Sequence, residues 1–236
     1  MALTIVGHRG VAAHYPENTR VSIQAAIDLG LNWVEVDVQP TKDNILVVCH
    51  DHTINRCSDG RGRIDRHTFA ELTQHDFGYW FAPQFTGEPL LTLSELLQMA
   101  NQHHLNLNIE VKVDRHHDVN LVVKLLKAQL ASANLTHCKL LLSSFSHAIM
   151  RELHQQLSNY PLGVLTSRIT RHDIALLDEI DAFSCHTNYQ RLRQQHVDKL
   201  KQTGRQIWCY TVNDGSDFPL LDQVDAIFSD DPAQFL

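Results

Sequence analysis

The chain lacks a basic surplus, and this narrows its partners first. Its 236 residues carry 20 lysines and arginines against 27 aspartates and glutamates, a formal net charge of −7. Nucleic acid and anionic bilayers draw basic surfaces through their phosphates, so neither is an expected partner, and any phosphate recognised here must meet a local cationic site. No run approaches the roughly 20 apolar residues of a membrane span, and the N-terminus lacks the basic start and long apolar region of a signal peptide. The five cysteines (Cys49, Cys57, Cys138, Cys185 and Cys209) are odd in number, far apart and without a CxxC, which argues against a disulfide framework and a thiolate zinc site. A soluble protein of a reducing cytoplasm is expected. Repeats, low-complexity tracts and interdomain linkers are also missing, so residues 1–236 are read as a single domain around one large core.

Histidine, by contrast, is abundant, with 16 copies. The pairs His103-His104 and His116-His117 sit at element ends among polar neighbours with no carboxylate spacing that supports a metal site. Both are read as solvated surface.

Eight short aliphatic or β-branched runs recur: "LTIVG", "WVEVDVQ", "NLNIEVK", "CKLLLSS", "YPLGVL", "DAFSCH", "RQIWCY" and "VDAIFS". Between them Ile23, Ala26 and Ile27, and again Val122, Leu125 and Leu126, keep the spacing of a helix face. "TLSE" from Thr92 reads as a capping box closed by Glu95, and Gly30 and Gly204 read as helix stops. Eight such units at this length predict an α/β fold, a (β/α)8 TIM barrel, with a doubly wound sheet as the alternative. One connection is too long for the rhythm. Residues 51–91 are read as an insertion after the second strand, covering the active-site face, with Phe69–Leu72 a short helix.

In "WVEVDVQ", Val34, Val36 and Val38 share one face and Glu35 and Asp37 the other; in "NLNIEVK", Leu107, Ile109 and Val111 alternate with Asn108, Glu110 and Lys112, because strand side chains alternate with period two. Either strand alone fits a wet polar face. Two with the same arrangement fit a barrel whose apolar faces pack outward under helices and whose carboxylates Glu35, Asp37 and Glu110 converge at the mouth. Three such charges repel one another and resist desolvation, and Lys112 offsets one at most. An oxygen-preferring divalent cation, Mg2+ or Ca2+ rather than zinc, would offset the others. His8 and Arg9 end the first strand and His50 ends "NILVVCH", which brings both histidines to the same mouth. An acid and a base on opposite sides of a phosphorus are what diester cleavage requires, and Arg9 and Lys112 suit the nonbridging oxygens.

The ordered set "GHRG…PENT", "E-V-D", "VVCHD…NR…DGRG", "PLLTLSELL", "LNIEVK", "SSF", "YTVND" and "DAIFSDDP" resembles the glycerophosphodiester phosphodiesterase family over nearly the whole chain. The resemblance implies a TIM barrel with an insertion after its second strand and a divalent metal on Glu35, Asp37 and Glu110. It also implies His8 and His50 as the acid/base pair, phosphate contacts from Arg9 and Lys112, and hydrolysis of small-molecule glycerophosphodiesters to glycerol 3-phosphate and an alcohol. "PENT" then leads into the first helix with Asn18 or Thr19 as its cap. Tyr210 and Ser229 depart from the family's usual Trp and Thr, which bears on the shape of the alcohol pocket. Phe145, Tyr79, Trp80 and Phe81 are candidates to line it, with core packing as their other role. Two rival readings are a lysophospholipid-cleaving barrel of the same type and a catalytically silent barrel that binds phosphate esters. Oligomeric state has no signal in the sequence.

Overall fold

The computed structural model describes residues 3–236. Its strands in chain order are β1 (Thr4–His8), β2 (Trp33–Pro40), β3 (Leu46–Val48), β4 (Asn106–Val111), β5 (Leu140–Ser144), β6 (Leu162–Thr166), β7 (Ser184–Asn188), β8 (Gln206–Tyr210) and β9 (Ala226–Ser229). All but β3 pair in parallel in the order β1-β9-β8-β7-β6-β5-β4-β2. The remaining pair, β1 with β2, places Val6 opposite Trp33 and His8 opposite Glu35 and closes the ring. The protein is therefore a TIM barrel, and closure rules out the open doubly wound sheet.

The alternation in β2 and β4 sorts as expected. Val34, Val36, Val38, Leu107, Ile109 and Val111 are buried in the large core between strands and helices, each worth about 1.5–3 kcal/mol on full burial. That core is covered by α1 (Arg20–Asp28), α3 (Leu93–Gln102), α4 (Val119–Ser132), α5 (His147–Gln156), α6 (Arg171–Glu179) and α7 (Gln194–Gln202), with α2 (Phe69–Leu72) lying in the insertion. The Thr92–Glu95 capping box opens α3. Gly30 and Gly204 follow α1 and α7 at φ 75° and 72°, a left-handed conformation that glycine adopts without penalty. The eightfold βα rhythm fails at its end. After β8 come only 3-10 turns at Gly215–Asp217 and Leu221–Gln223, where Gly215, Pro219 and an Asp214 side chain that accepts from the Ser216 amide break any helical run.

The strand that ends near His50 is not part of the ring. β3 runs antiparallel to the outer end of β2, Val38 opposite Val48 and Pro40 opposite Leu46. This hairpin rises above the mouth and returns the chain to the level of Asp37, whose carbonyl accepts from the Cys49 amide at 2.9 Å. His50 thus reaches the mouth from above rather than from a barrel strand. Residues beyond it carry a small core of their own, with Ile54, Ile64, Leu72, Phe77 and Leu90 around Val47 and Cys49. The segment is braced on one side by Glu88, which accepts from the Val21 amide at 3.1 Å.

On the other side Arg63 pairs with Asp65 and Asp114, and here one expectation fails. His116 is exposed, as are His103 and His104, but the His117 side chain is only 7% exposed. The Asp114 amide donates to its Nδ1, so its Nε2–H donates to Asp65 at 3.2 Å. The carboxylate comes from the insertion, 52 residues away in sequence, which is why local spacing did not reveal it.

Candidate active site

The turn from β1 to α1 is built for close approach. A Cβ on Gly7 would meet the Gly10 carbonyl at 2.4 Å, and one on Gly10, at φ 92°, would meet Ser22 Oγ at 2.2 Å, so "GHRG" needs both glycines. Ser22 Oγ donates to the Arg9 carbonyl and accepts from the Val11 amide, each at 2.9 Å. In "PENT" each polar residue has a separate role. Glu17 holds Arg9 at 2.8 Å, Asn18 holds Asp37 at 2.9 Å, and Thr19 caps α1 by accepting from the Ser22 amide.

Glu35, Asp37 and Glu110 each offer an oxygen within 4.8 Å of the others, and all three are buried. Burial first, then the charge of Asp37, raises Glu35 well above the ordinary carboxylate range and Glu110 to about 7. Burial also works against the charge of Asp37, but Arg9 and Lys112 outweigh it and hold the group below its ordinary value. Arg9 Nε lies 3.3 Å from Asp37, and Lys112 Nζ lies 3.0 Å from Glu110 and 3.5 Å from Asp37. Two cations against three crowded carboxylates leave a deficit of positive charge. The all-oxygen donor set fits a hard divalent cation.

His8 Nδ1 lies 2.6 Å from Asp230 Oδ1, and its Nε2 lies 3.8 Å from Glu35. His50 Nδ1 lies 2.7 Å from Asp51 Oδ1. A carboxylate on Nδ1 fixes the hydrogen there and leaves Nε2 of each ring as the free nitrogen. Asp230 is itself held by Asn213, which donates from Nδ2 at 2.9 Å and accepts the Asp230 amide at 2.8 Å. Ser229 Oγ, the departure noted in the sequence, donates to the same Asn213 carbonyl. On the other side Arg56 binds both Asp51 and Glu17, so a chain of contacts runs from the His50–Asp51 hydrogen bond through the Arg56, Glu17 and Arg9 ion pairs to Asp37.

A cavity of about 460 Å³ opens between the two histidines at the C-terminal mouth and is lined by Arg9, Glu35 and Glu110 as well. Its far wall carries Phe145, which packs edge-on against Tyr210 at 6.0 Å. Tyr79, Trp80 and Phe81 do not line it. Trp208 lies deeper inside the barrel, stacked on His186 at 5.0 Å, while the Tyr210 hydroxyl donates to the Thr166 carbonyl at the rim. Sequence reasoning gave no site role to Asp51, Asp230, Asn18, Glu17 or Arg56, although all five stand in quoted motifs, and it offered Asn18 only as an alternative cap for α1. It also missed Asn108, whose position two residues before Glu110 puts it on the same inward face. Asn108 is fully buried, lines the cavity, and has no hydrogen-bond partner for either side-chain polar atom among the described residues.

A closed parallel barrel with its ionisable groups gathered at the C-terminal mouth is the architecture of a TIM-barrel enzyme. The chain belongs to the glycerophosphoryl diester phosphodiesterase family, whose model matches residues 8–234. It is 30% identical over 234 residues to a glycerophosphodiester phosphodiesterase of Caldanaerobacter subterraneus, covering 98% of this chain and 96% of the relative. The same identity relates it over 247 residues to one from Bacillus subtilis, covering 98% and 84%. Among solved structures, an Oleispira antarctica phosphodiesterase in complex with the product sn-glycerol-3-phosphate superposes with a TM-score of 0.93 at 30% identity, covering 98% of this chain and 94% of that one. Among the described residues no helix is long and apolar enough to cross a membrane.

Proposed function

We propose that this enzyme hydrolyses glycerophosphodiesters to glycerol 3-phosphate and an alcohol, with His50 as general base, His8 as general acid and a divalent cation held by Glu35, Asp37 and Glu110. The observation that carries this reading is the pair of histidines, each with Nδ1 on a carboxylate, lining one cavity with Arg9 and the acidic triad. The related product complex supports the substrate class. When bound, Mg2+ or Ca2+ supplies Lewis-acid neutralisation of the developing phosphoryl charge. Residues 1–236 then act as one catalytic domain, with the β2–β3 hairpin delivering His50 and residues 51–91 adding Asp51 and Arg56 at the mouth. The five unpaired thiols support a reducing, cytoplasmic setting.

Burial lowers the basicity of His50 despite the opposing charge of Asp37, so the ring is neutral near pH 7 and its Nε2 is ready to accept a proton. The proton comes from the glycerol hydroxyl adjacent to the esterified carbon. Attack by that hydroxyl is intramolecular and carries effective molarities of roughly 10⁵ M or more that a free water lacks. His8 enters this step as the imidazolium, its Nδ1–H on Asp230, and gives its Nε2 proton to the leaving alkoxide. Arg9 and Lys112 bind the nonbridging oxygens. The cyclic phosphate is then opened by water, with the two histidines exchanging roles. A head-group panel assayed for glycerol 3-phosphate release tests the reading. Release from deacylated diesters is expected, and activity confined to lysolipids, or binding without turnover, would overturn it.

A further inference from the structure

A second cavity of about 440 Å³ adjoins the mouth and is lined by Arg168, Ile169, Gln190, Arg191, Arg193, Gln195 and His196. Among the described residues no carboxylate lines it. Arg9, Arg20, Arg56, Arg63, Arg151 and Arg205 each hold an acidic partner; among the described residues Arg61, Arg66, Arg115 and Arg171 have none, and neither do the three guanidiniums that this one cavity brings together. Two of these charges bear on His196. Burial, then the charges of Arg193 and Arg168, lower its basicity with no acid to offset them, and its Nδ1 is buried without a hydrogen-bond partner. The cavity also faces the start of α7, whose N-cap Arg193 offers no side-chain cap, unlike Thr19, Thr92, Asp118, Ser146 and Thr170 at the other barrel helices. In a chain of net charge −7, this is concentrated and uncompensated positive potential.

Its place relative to the chemistry is informative. Gln190 lines both cavities, and the basic residues sit on the loops after β6 and β7. His8 and the acidic triad sit at β1, β2 and β4, with His50 just after the β3 hairpin strand paired to β2, across the ring in strand order. A leaving group directed across the mouth from the histidines would pass over this rim. We propose that the Arg168–Arg191–Arg193 cavity is a subsite for a second anionic group on the leaving alcohol, selecting diesters whose alcohol is a polyol bearing a further phosphate. The inference rests on the phosphodiesterase reading above.

The test compares glycerophosphoinositol with glycerophosphoinositol 4-phosphate, which differ by that one phosphate, in the wild-type enzyme and in the triple variant Arg168→Gln/Arg191→Gln/Arg193→Gln. Solvent-exposed ion pairs are each modest, so three together should favour the phosphorylated diester about tenfold in kcat/KM. The triple variant should bring the ratio of the two kcat/KM values to near one, and raised salt should erode the wild-type ratio. Glycerol 3-phosphate release from both diesters with a wild-type ratio near one, or a ratio unmoved by the substitutions, overturns the subsite and leaves the phosphodiesterase reading standing. Release from neither diester sinks the reading of the active site. Calorimetric binding of inositol 1,4-bisphosphate, wild type against triple variant, then decides the subsite separately. Loss of binding to phosphatidylglycerol vesicles in the triple variant, with the substrate ratio unchanged, would show a bilayer contact in place of a substrate subsite.

Discussion

Asn18 and Asp37, 19 residues apart, clasp each other twice: Asn18 Nδ2 donates to Asp37 Oδ2 at 2.9 Å, and the Asp37 amide donates back to Asn18 Oδ1 at 3.3 Å. One small amide at φ 59° thereby fixes the carboxylate at the centre of the acidic triad. Groups that hold a metal-binding carboxylate typically cost 10–100-fold in affinity when removed. Asn18→Ala should therefore raise the Mg2+ or Ca2+ concentration for half-maximal activity by about that factor, with turnover recovered at high metal. Unchanged metal dependence would show that Asp37 holds its place without the clasp.

Metal removal has a stability signature as well as a catalytic one. A chelator should abolish turnover, restored by added Mg2+ or Ca2+. Because Glu35 is raised well above its ordinary value of 4.5 in the metal-free protein, its ionisation opposes folding above that pH, and increasingly so as pH rises toward the folded-state value. Glu35→Gln should accordingly melt higher than wild type in chelator at pH 8, by about 2–4 °C for each kcal/mol of relief. The same variant should be inactive in excess metal. A lower melting temperature in chelator would mean that the triad is not strained by its own charge.

The acid limb of the pH profile should belong to His50. Its folded value is lowered from 6.5, chiefly by burial, so kcat/KM should hold below pH 6.5 and fall only at lower pH. The Asp51 hydrogen bond raises the His50 value, hence Asp51→Asn should move the limb further down while reducing kcat. His8→Ala and His50→Ala should each cost about 10²-fold or more in kcat, and the double variant little more than either alone. Strictly multiplicative losses would make one histidine structural.

The nucleophile is open to a substrate test. A diester of 2-deoxyglycerol should bind comparably yet turn over at least about 10²-fold more slowly, the penalty for losing a positioned reacting group. Normal turnover, with solvent oxygen entering the phosphate in the first step, would show direct attack by water.

Asn108 separates stability from function. Its amide is fully buried with both polar atoms unpartnered by protein, a penalty of roughly 1–3 kcal/mol for such a group. Asn108→Leu, of similar shape, should leave the melting temperature unchanged or raised while KM for the diester increases. A sharp drop in melting temperature would assign the amide a structural role.

How much was legible in the sequence can be seen strand by strand. Eight barrel strands, the outward valines of β2, the Thr92–Glu95 cap and the glycine stops follow from periodicity and capping, which act over a few residues and leave their mark locally. The convergence of Glu35, Asp37 and Glu110 was also readable, because period two on neighbouring parallel strands forces it. Tertiary structure alone decided the partners: Asp230 on His8 across 222 residues, Asp65 on His117, and the hairpin that lowers His50 onto the mouth. It also decided that Arg168, Arg191 and Arg193, unremarkable along the chain, share one cavity. Such pairings come from ring closure and from the docking of the insertion, where a side chain's neighbour is set by strand register and packing, and residues far apart in sequence carry no local trace of meeting.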